Sequence, residues 1–203
     1  ASARAFRRAE IFLRLKHAPL WQVPFLMIGA VLGSFGRFFL GMLAKGNKKF
    51  GADFLDTWGP TVEHQRGFAA SHGFSRDGGM AKHVYFAPRA SLTGLNADEW
   101  HGIAPGSETS LALAMAGVLL GERGLAAPAG AASVSAEQAA AATGLKAEDI
   151  GRLAKEFAAA KPGLAVAGGI GSQHAGAVEL CAAVHLLNHA AGNIGETVLF
   201  GSD

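Results

Sequence analysis

The spacing of apolar positions between residues 82 and 191 changes several times, from short β-type runs to the helical period. The run Val84–Phe86 predicts a strand, and a second short strand is expected before residue 104. Leu164–Ala167 predicts a further buried strand, and a tight turn is expected over 168–172. Helical stripes or helix-favouring composition predict helices at five places: from after Pro60 to residue 71, and over 107–122, 136–142, 146–161 and 175–191. This order of elements is typical of a parallel, doubly wound sheet, so we predict an α/β fold.

Two of the predicted helices carry signals at their first residues. Ser107 precedes one helix, and its hydroxyl is expected to accept a hydrogen bond from an unpaired N–H of the first turn. Glu108 adds negative charge at the positive end of the same helix dipole. Ser135 and Gln138 have the spacing of a capping box. Gly192 is expected to end the last helix.

Residues 1–49 differ from the rest of the chain in charge and hydropathy. Nine basic residues against Glu10 alone give this segment a charge of +8, so the remainder carries −6 of the total +2. Residues 18–36 hold no charged side chain, and the apolar character resumes after Arg37 up to Ala44. A bilayer-spanning helix needs about 20 apolar residues. We therefore predict a basic, apolar segment over 1–49, with a membrane helix at about 18–44, and an incomplete α/β domain over 50–203.

Two alternatives for the N-terminal segment stay open. It has the composition of a buried amphipathic hairpin of a soluble protein, and the pair Arg7-Arg8 before an apolar run is similar to a twin-arginine export signal. Charged residues between that pair and the uncharged core argue against a signal. The denser basic group before Pro19 favours a cytoplasmic N-terminus for a membrane helix.

The junction at residues 44–50, with the sequence AKGNKKF, has the composition of a polar turn. The family that the motifs described below resemble has an apolar strand at this point. We therefore expect the upstream half of the nucleotide-binding fold to be missing or replaced in this chain.

Four stretches, in order, resemble motifs of the molybdopterin oxidoreductase family. The first is a strand followed by Pro88-Arg89, Trp100, Pro105-Gly106 and an Ala- and Leu-rich helix. The others are residues 145–157, 168–176 and 187–195. Within that family, GADFLDTW at 51–58 and SLTGLNADEW at 91–100 look most like the molybdopterin-type subunit of bacterial alternative complex III. The resemblance implies a partial Rossmann-like sheet.

The chain departs from the cofactor-binding pattern of the family. Ala87 stands where an acidic residue is usual, and Asp53 stands where the family's GxN loop has Asn. A carboxylate at that position would repel a polyphosphate. These departures favour a retained fold without the molybdopterin cofactor. If a molybdopterin nucleotide were bound, the resemblance would place it at Arg89, Gly106, Ser107 and Glu108, where Ser-Glu replaces the usual Thr-Asp.

The resemblance also implies partners and a location. We expect a cofactor-free subunit of a membrane-bound, quinol-oxidising electron-transfer complex, with iron–sulfur clusters and haem in partner subunits and lipid contact through residues 18–44. The expected location is the bacterial inner membrane, with the α/β domain on the periplasmic side. Two alternatives remain: a fragment of a molybdopterin-dependent catalytic subunit, and a membrane-anchored interaction protein. Basic residues that flank an apolar run, rather than alternate with aromatic ones, argue against nucleic-acid binding.

Several single residues are candidates for chemistry. Cys181 is the sole cysteine, so this chain alone cannot ligate an iron–sulfur cluster with cysteines, and its apolar helix predicts a buried thiol. His185 and His189 have the spacing of a metal-binding pair on a helix, but Ala and Leu surround them and we predict no metal site. No catalytic residue is predicted.

Two further side chains on the predicted rim have specific expectations. Arg89 is expected to pair with a carboxylate such as that of Asp98 or Glu99. His174 is expected to bond the turn at the start of the last helix. On the rule that open α/β sheets bind ligands at the carboxyl ends of their strands, residues 87–89, 106–108 and 168–174 should share one rim.

Overall fold

A four-stranded parallel sheet forms the centre of the described part of the protein, in the order β3-β2-β1-β4. A computed structural model describes residues 46–73, 79–128 and 130–199. The strands are β1 (Gly46–Phe50), β2 (Lys82–Ala87), β3 (Glu99–Gly102) and β4 (Gly163–Ala167). Since β1 pairs with both β2 and β4, β1 lies inside the sheet. The predicted parallel α/β fold is confirmed.

Helices flank this sheet, and all but the short helix at Leu92–Leu95, which was not predicted, lie close to the predicted positions. They are α1 (Thr61–His72), α2 (Leu92–Leu95), α3 (Glu108–Glu122), α4 (Ala136–Thr143), α5 (Ala147–Ala159) and α6 (Ala177–Ala191), with a 3-10 turn at Gly169–Ser172. The capping box of α4 is confirmed, because Gln138 N–H donates to Ser135 Oγ at 3.2 Å and Ser135 N–H donates to Gln138 Oε1 at 2.8 Å. Gly192 ends α6 with a φ of 76°, as predicted.

One face of the sheet carries the hydrophobic core. Phe50, Val84 and Phe86 point to this face, where α3, α5 and α6 cover them with fully buried side chains. The rings of Phe50 and Phe86 stack with centroids 5.0 Å apart. Because α3 packs against α4, α5 and α6, it holds the helical layer together. Burial of each such side chain contributes about 1.5–3 kcal/mol relative to exposure.

The opposite face of the sheet is more polar. Lys49 and His83 lie there, beside Phe54 and under Phe68 of α1. Lys49 Nζ lies 5.1 Å from the centroid of the Phe54 ring, and the rings of Phe68 and His83 meet edge to face at 4.8 Å. Aromatic rings, rather than ion pairs, therefore surround these buried polar groups.

Residues 46–50 form β1, so the prediction of a polar turn in this segment is wrong. Lys48 and Lys49 are 2% and 4% exposed, although central parallel strands are usually apolar. Burial lowers the pKa of Lys48 to about 8 and that of Lys49 to about 7. Pairing with strands that lie far away along the chain overrides the local preference of this sequence.

Side chains form hydrogen bonds with the backbone of β4, which is an edge strand of the sheet. Asn188 accepts from the N–H of Ala165 and donates to its carbonyl, both at 2.9 Å. Thr197 Oγ1 donates to the carbonyl of Gly163 at 2.5 Å. These contacts satisfy backbone groups that would otherwise pair with a further strand.

Within the described ranges, the helices are all too short or too polar to cross a membrane. The predicted membrane helix at 18–44, like the rest of residues 1–45, lies outside the described residues.

Candidate functional site

The loops after the four strands meet at the carboxyl edge of the sheet. They are residues 51–60 after β1, 88–91 after β2, 103–107 after β3 and 168–176 after β4. Because the strands are parallel, Arg89, Gly106–Glu108 and the loop to His174 lie on one rim, as predicted. His174 Nδ1 accepts from Gly176 N–H at 3.0 Å, which confirms its expected bond to the turn.

Asp53 is the centre of a hydrogen-bond cluster on this rim. Its Oδ1 accepts from Ser91 Oγ at 2.8 Å and from Thr93 Oγ1 at 2.6 Å, and its Oδ2 accepts from Thr57 Oγ1 at 3.2 Å. The Asp53 side chain is 4% exposed. The sequence indicated a carboxylate here, but its hydroxyl donors were not identified. Two of these donors, Ser91 and Thr93, could have been identified from the sequence, because two hydroxyl residues spaced two positions apart follow closely after Pro88-Arg89.

Arg89 faces a carboxylate, as predicted, but this carboxylate is that of Asp53 and not that of Asp98 or Glu99. Its NH2 atom is 4.0 Å from Asp53 Oδ2. Glu99 begins β3 at the amino end of the sheet, whereas Arg89 follows the carboxyl end of β2. Asp98 accepts from His83 N–H at 2.7 Å and Glu99 pairs with Lys82, so both are bound at the far end.

The start of α3 differs from the predicted cap. Ser107 has helical backbone angles, and its hydroxyl donates to the carbonyl of Ala104 at 2.6 Å instead of accepting from the first turn. The predicted N-cap interaction of Ser107 is therefore wrong. Glu108 is 2% exposed, and its Oε2 has no hydrogen-bond partner among the described residues. Gly106 has a φ of 81°, a conformation that favours glycine.

Tyr85 connects these two parts of the rim electrostatically. The Tyr85 hydroxyl lies 3.5 Å from Ser91 Oγ. Burial raises the pKa of Tyr85, and the negative charges of Asp53 and Glu108 raise it further. The rim therefore combines buried carboxylates with hydroxyl groups, and the Arg89 guanidinium lies at its outer side, with 62% of the side chain exposed.

The crevice between β1 and β4 is closed by the chain itself. At this switch point of the strand order, open α/β sheets bind their ligands. A Cβ atom on Gly51 would lie 2.5 Å from Gly171 N, and one on Gly169 would lie 2.5 Å from Gly51 O. The Trp58 ring covers Gly168, where a Cβ atom would approach to 2.8 Å. Backbone and an indole ring thus occupy the space at this point.

The described residues do not fit a dinucleotide-type polyphosphate. Such a group would meet the buried carboxylates of Asp53 and Glu108, which repel it, and closely packed backbone at Gly51 and Gly171. The Arg89 guanidinium already faces the Asp53 carboxylate, at 4.0 Å from Oδ2. The four positions at which the family resemblance would place a nucleotide therefore share a rim on which Asp53 and Glu108 are buried.

The exposed side of α6 holds the remaining candidates. Cys181 is exposed, so the prediction of a buried thiol is wrong, because the helix turns Leu180 and Val184 to the core instead. His185 and His189 line a groove of about 390 Å³. Across the described ranges, no group of three or more potential metal-ligating side chains comes together.

Comparisons with known proteins agree with the sequence motifs. The chain is 35% identical over 144 residues to the molybdopterin-binding-like subunit of menaquinone reductase from Nitratidesulfovibrio vulgaris strain Hildenborough. Acetylene hydratase from Pelobacter acetylenicus has a similar fold, with a TM-score of 0.54 and 12% identity over 79% of this chain. No protein-family model matches the chain.

The present chain is much shorter than both of these proteins. The menaquinone reductase match covers 67% of this chain and 20% of the relative, and the acetylene hydratase match covers 24% of that protein. The first match by sequence and the second by fold support the relationship of this chain to the molybdopterin oxidoreductase family.

Proposed function

We propose that this chain is part of a membrane-bound redox complex that exchanges electrons with a quinone, and that it keeps the molybdopterin-type fold without the cofactor. Its role there is to hold partner subunits together rather than to catalyse a reaction. The relative named as a menaquinone reductase subunit supports the class of complex. The buried carboxylates of Asp53 and Glu108, together with the closed crevice at Gly51 and Gly171, support the loss of the cofactor.

The observation that carries this proposal is Asp53 with its three hydroxyl donors. A negative charge is fixed on the rim where a cofactor's phosphates would approach, and its hydrogen-bond donors are already used. At 4 Å, two unit charges of the same sign repel by about 4 kcal/mol at the effective dielectric constant of a protein surface. A bound polyphosphate would need to displace this carboxylate.

The test is elemental analysis of the native complex, with molybdenum, tungsten, iron and haem measured on the same sample. We expect iron and haem, which partner subunits would carry, and no molybdenum or tungsten. Either metal in stoichiometric amount with this chain would overturn the proposal and favour a fragment of a catalytic molybdopterin subunit. Purification as a lone, stable monomer without redox subunits would instead favour an interaction protein.

Two types of complex are open within this proposal. The motifs at 51–58 and 91–100 favour alternative complex III, which oxidises quinol, whereas the name of the curated relative denotes reduction of menaquinone. The purified complex should be assayed in both directions: for quinol oxidation with an added acceptor and for menaquinone reduction with an added donor. A higher rate of quinol oxidation would favour alternative complex III, and a higher rate of menaquinone reduction would favour a menaquinone reductase.

The proposed location is the inner membrane of a bacterium, with residues 18–44 in the lipid and the α/β domain on the periplasmic side. Protease added to intact spheroplasts would then cleave the domain. Cleavage only after lysis would place the domain in the cytoplasm.

A further inference from the structure

The donors around Asp53 form a pocket that is suited to a small anion. Ser91, Thr93 and Thr57 present three hydroxyl groups to the two carboxylate oxygens at 2.6–3.2 Å. The Arg89 guanidinium faces the same carboxylate from 4.0 Å. Hydroxyl donors with a nearby cation are the groups that bind carboxylate or phosphate oxygens in proteins, with hydrogen bonds strengthened by the charge.

Contacts other than those with Asp53 hold part of this donor set in place. Thr93 Oγ1 also accepts from the N–H of Leu55 at 3.1 Å, so its position is fixed from the β1 loop as well. Ser91 lies directly before α2, and Thr93 lies within that helix. Thr93 Oγ1 should therefore keep its position when the Asp53 carboxylate is absent.

The pocket also has a side that reaches solvent. The Asp53 side chain is 4% exposed, but Arg89 next to it has 62% of its side chain exposed. An anion from solution would first meet this guanidinium, which attracts it toward the hydroxyl groups.

We propose that Asp53 fills an anion-binding pocket from within, and that a small oxyanion of the carboxylate type binds there once the Asp53 carboxylate is removed. The inference rests on the proposed function, since a rim that served a bound cofactor would have no need of an internal anion. The ligand class is a planar monoanion such as formate, whose two oxygens replace Oδ1 and Oδ2.

The experiment compares the full chain with its Asp53→Ala and Asp53→Asn variants in sodium formate and in sodium chloride of equal ionic strength. Alanine leaves room for formate, whereas asparagine keeps the shape of the side chain and fills the pocket. An anion at ten times its dissociation constant should raise the Tm of Asp53→Ala by about 3–6 °C. The Tm of the original chain and of Asp53→Asn should be the same in both salts.

Each outcome decides the matter. Asp53→Ala that refolds in formate and not in chloride would support the proposal as strongly as a shift in Tm. Equal Tm values in the two salts, an equal response of all three proteins, or failure of Asp53→Ala to refold in either salt would overturn it. If the Tm values do not respond to formate and the native complex contains no molybdenum, only the anion-binding inference is contradicted. If the native complex contains molybdenum, the proposed function is contradicted.

Discussion

Arg152 holds Glu99 through two hydrogen bonds, from NH1 to Oε1 at 3.3 Å and from NH2 to Oε2 at 3.1 Å. The pair joins α5 to β3, and Lys82 on β2 adds a third contact to the same carboxylate at 2.5 Å. Arg152, followed by Lys82, holds the pKa of Glu99 at about 2 against the effect of burial. Three elements are thus connected at the amino end of the sheet, opposite the rim.

Glu99→Gln should lower the free energy of unfolding at pH 7 by about 1–2 kcal/mol. This value is smaller than the full free energy of the pKa shift, because solvent screens a partly exposed ion pair. Because the folded pKa lies below the unfolded value of 4.5, the stability from this carboxylate is present above pH 4.5 and is lost as the pH falls toward 2. Urea unfolding at pH 7 and pH 3 would measure both effects. Glu122→Gln, which removes an exposed partner of Lys155, is the control and should change stability by less than about 0.5 kcal/mol.

Lys49→Met should stabilise the protein at pH 7 by about 2–4 kcal/mol, because burial of the amine disfavours its charged form. The folded pKa of about 7 lies below the ordinary 10.5, so the unfolded chain binds more protons between these values. The stability of the original chain should therefore rise from pH 7 toward pH 10, and that of Lys49→Met should rise less. Lys155→Met, at an exposed position, is the control. A destabilised Lys49→Met at pH 7 would show that the amine has a stabilising partner.

His83→Phe should remove part of the acid sensitivity of the fold. Burial, with smaller effects from Lys49 and His72, lowers the pKa of His83 to about 3, and both ring nitrogens lack hydrogen-bond partners among the described residues. The unfolded chain takes up a proton near pH 6.5, so the original protein should lose about 2 kcal/mol between pH 7 and pH 5 through this residue. Chemical unfolding at both pH values would show whether the variant keeps that stability. An unchanged pH dependence would contradict the assignment.

Gly51→Ala should destabilise the protein by about 2–4 kcal/mol. Its φ is 68°, and the added Cβ atom would collide with Gly171 N in the closed crevice. Gly121→Ala in α3 is the matched control, since its Cβ atom would have no neighbour within 4 Å, and it should stabilise by about 0.5–1 kcal/mol. Thermal unfolding of both variants measures the difference. Equal effects would mean that the crevice is more open than the distances indicate.

The local patterns of the sequence predicted most of the helices and β2 correctly. The stripe that contains Ile150, Leu153 and Phe157 gave α5 within two residues of its ends, because all three side chains are buried on one face. The capping box at Ser135 was also predicted, since it depends on residues three positions apart. Such signals are carried by neighbours in the chain.

Features set by distant residues were not predictable in the same way. The sequence GNKKF has the composition of a turn, and only its pairing with β2 and β4 makes it a strand. Asp98 and Glu99 were named as examples of a partner for Arg89, yet a parallel sheet separates the end of β2 from the start of β3. Ser107 has the residue type of a cap, but its hydroxyl bonds Ala104 instead.

The position of β1 between β2 and β4 has a consequence for the order of folding during synthesis. A growing chain can pair β1 with β2 early, but the other edge of β1 stays unpaired until β4, which ends at Ala167, has left the ribosome. Charged lysines on an unpaired strand edge discourage pairing with other chains. We therefore expect Lys48 and Lys49, whose charged forms burial disfavours in the finished sheet, to reduce aggregation of the nascent chain.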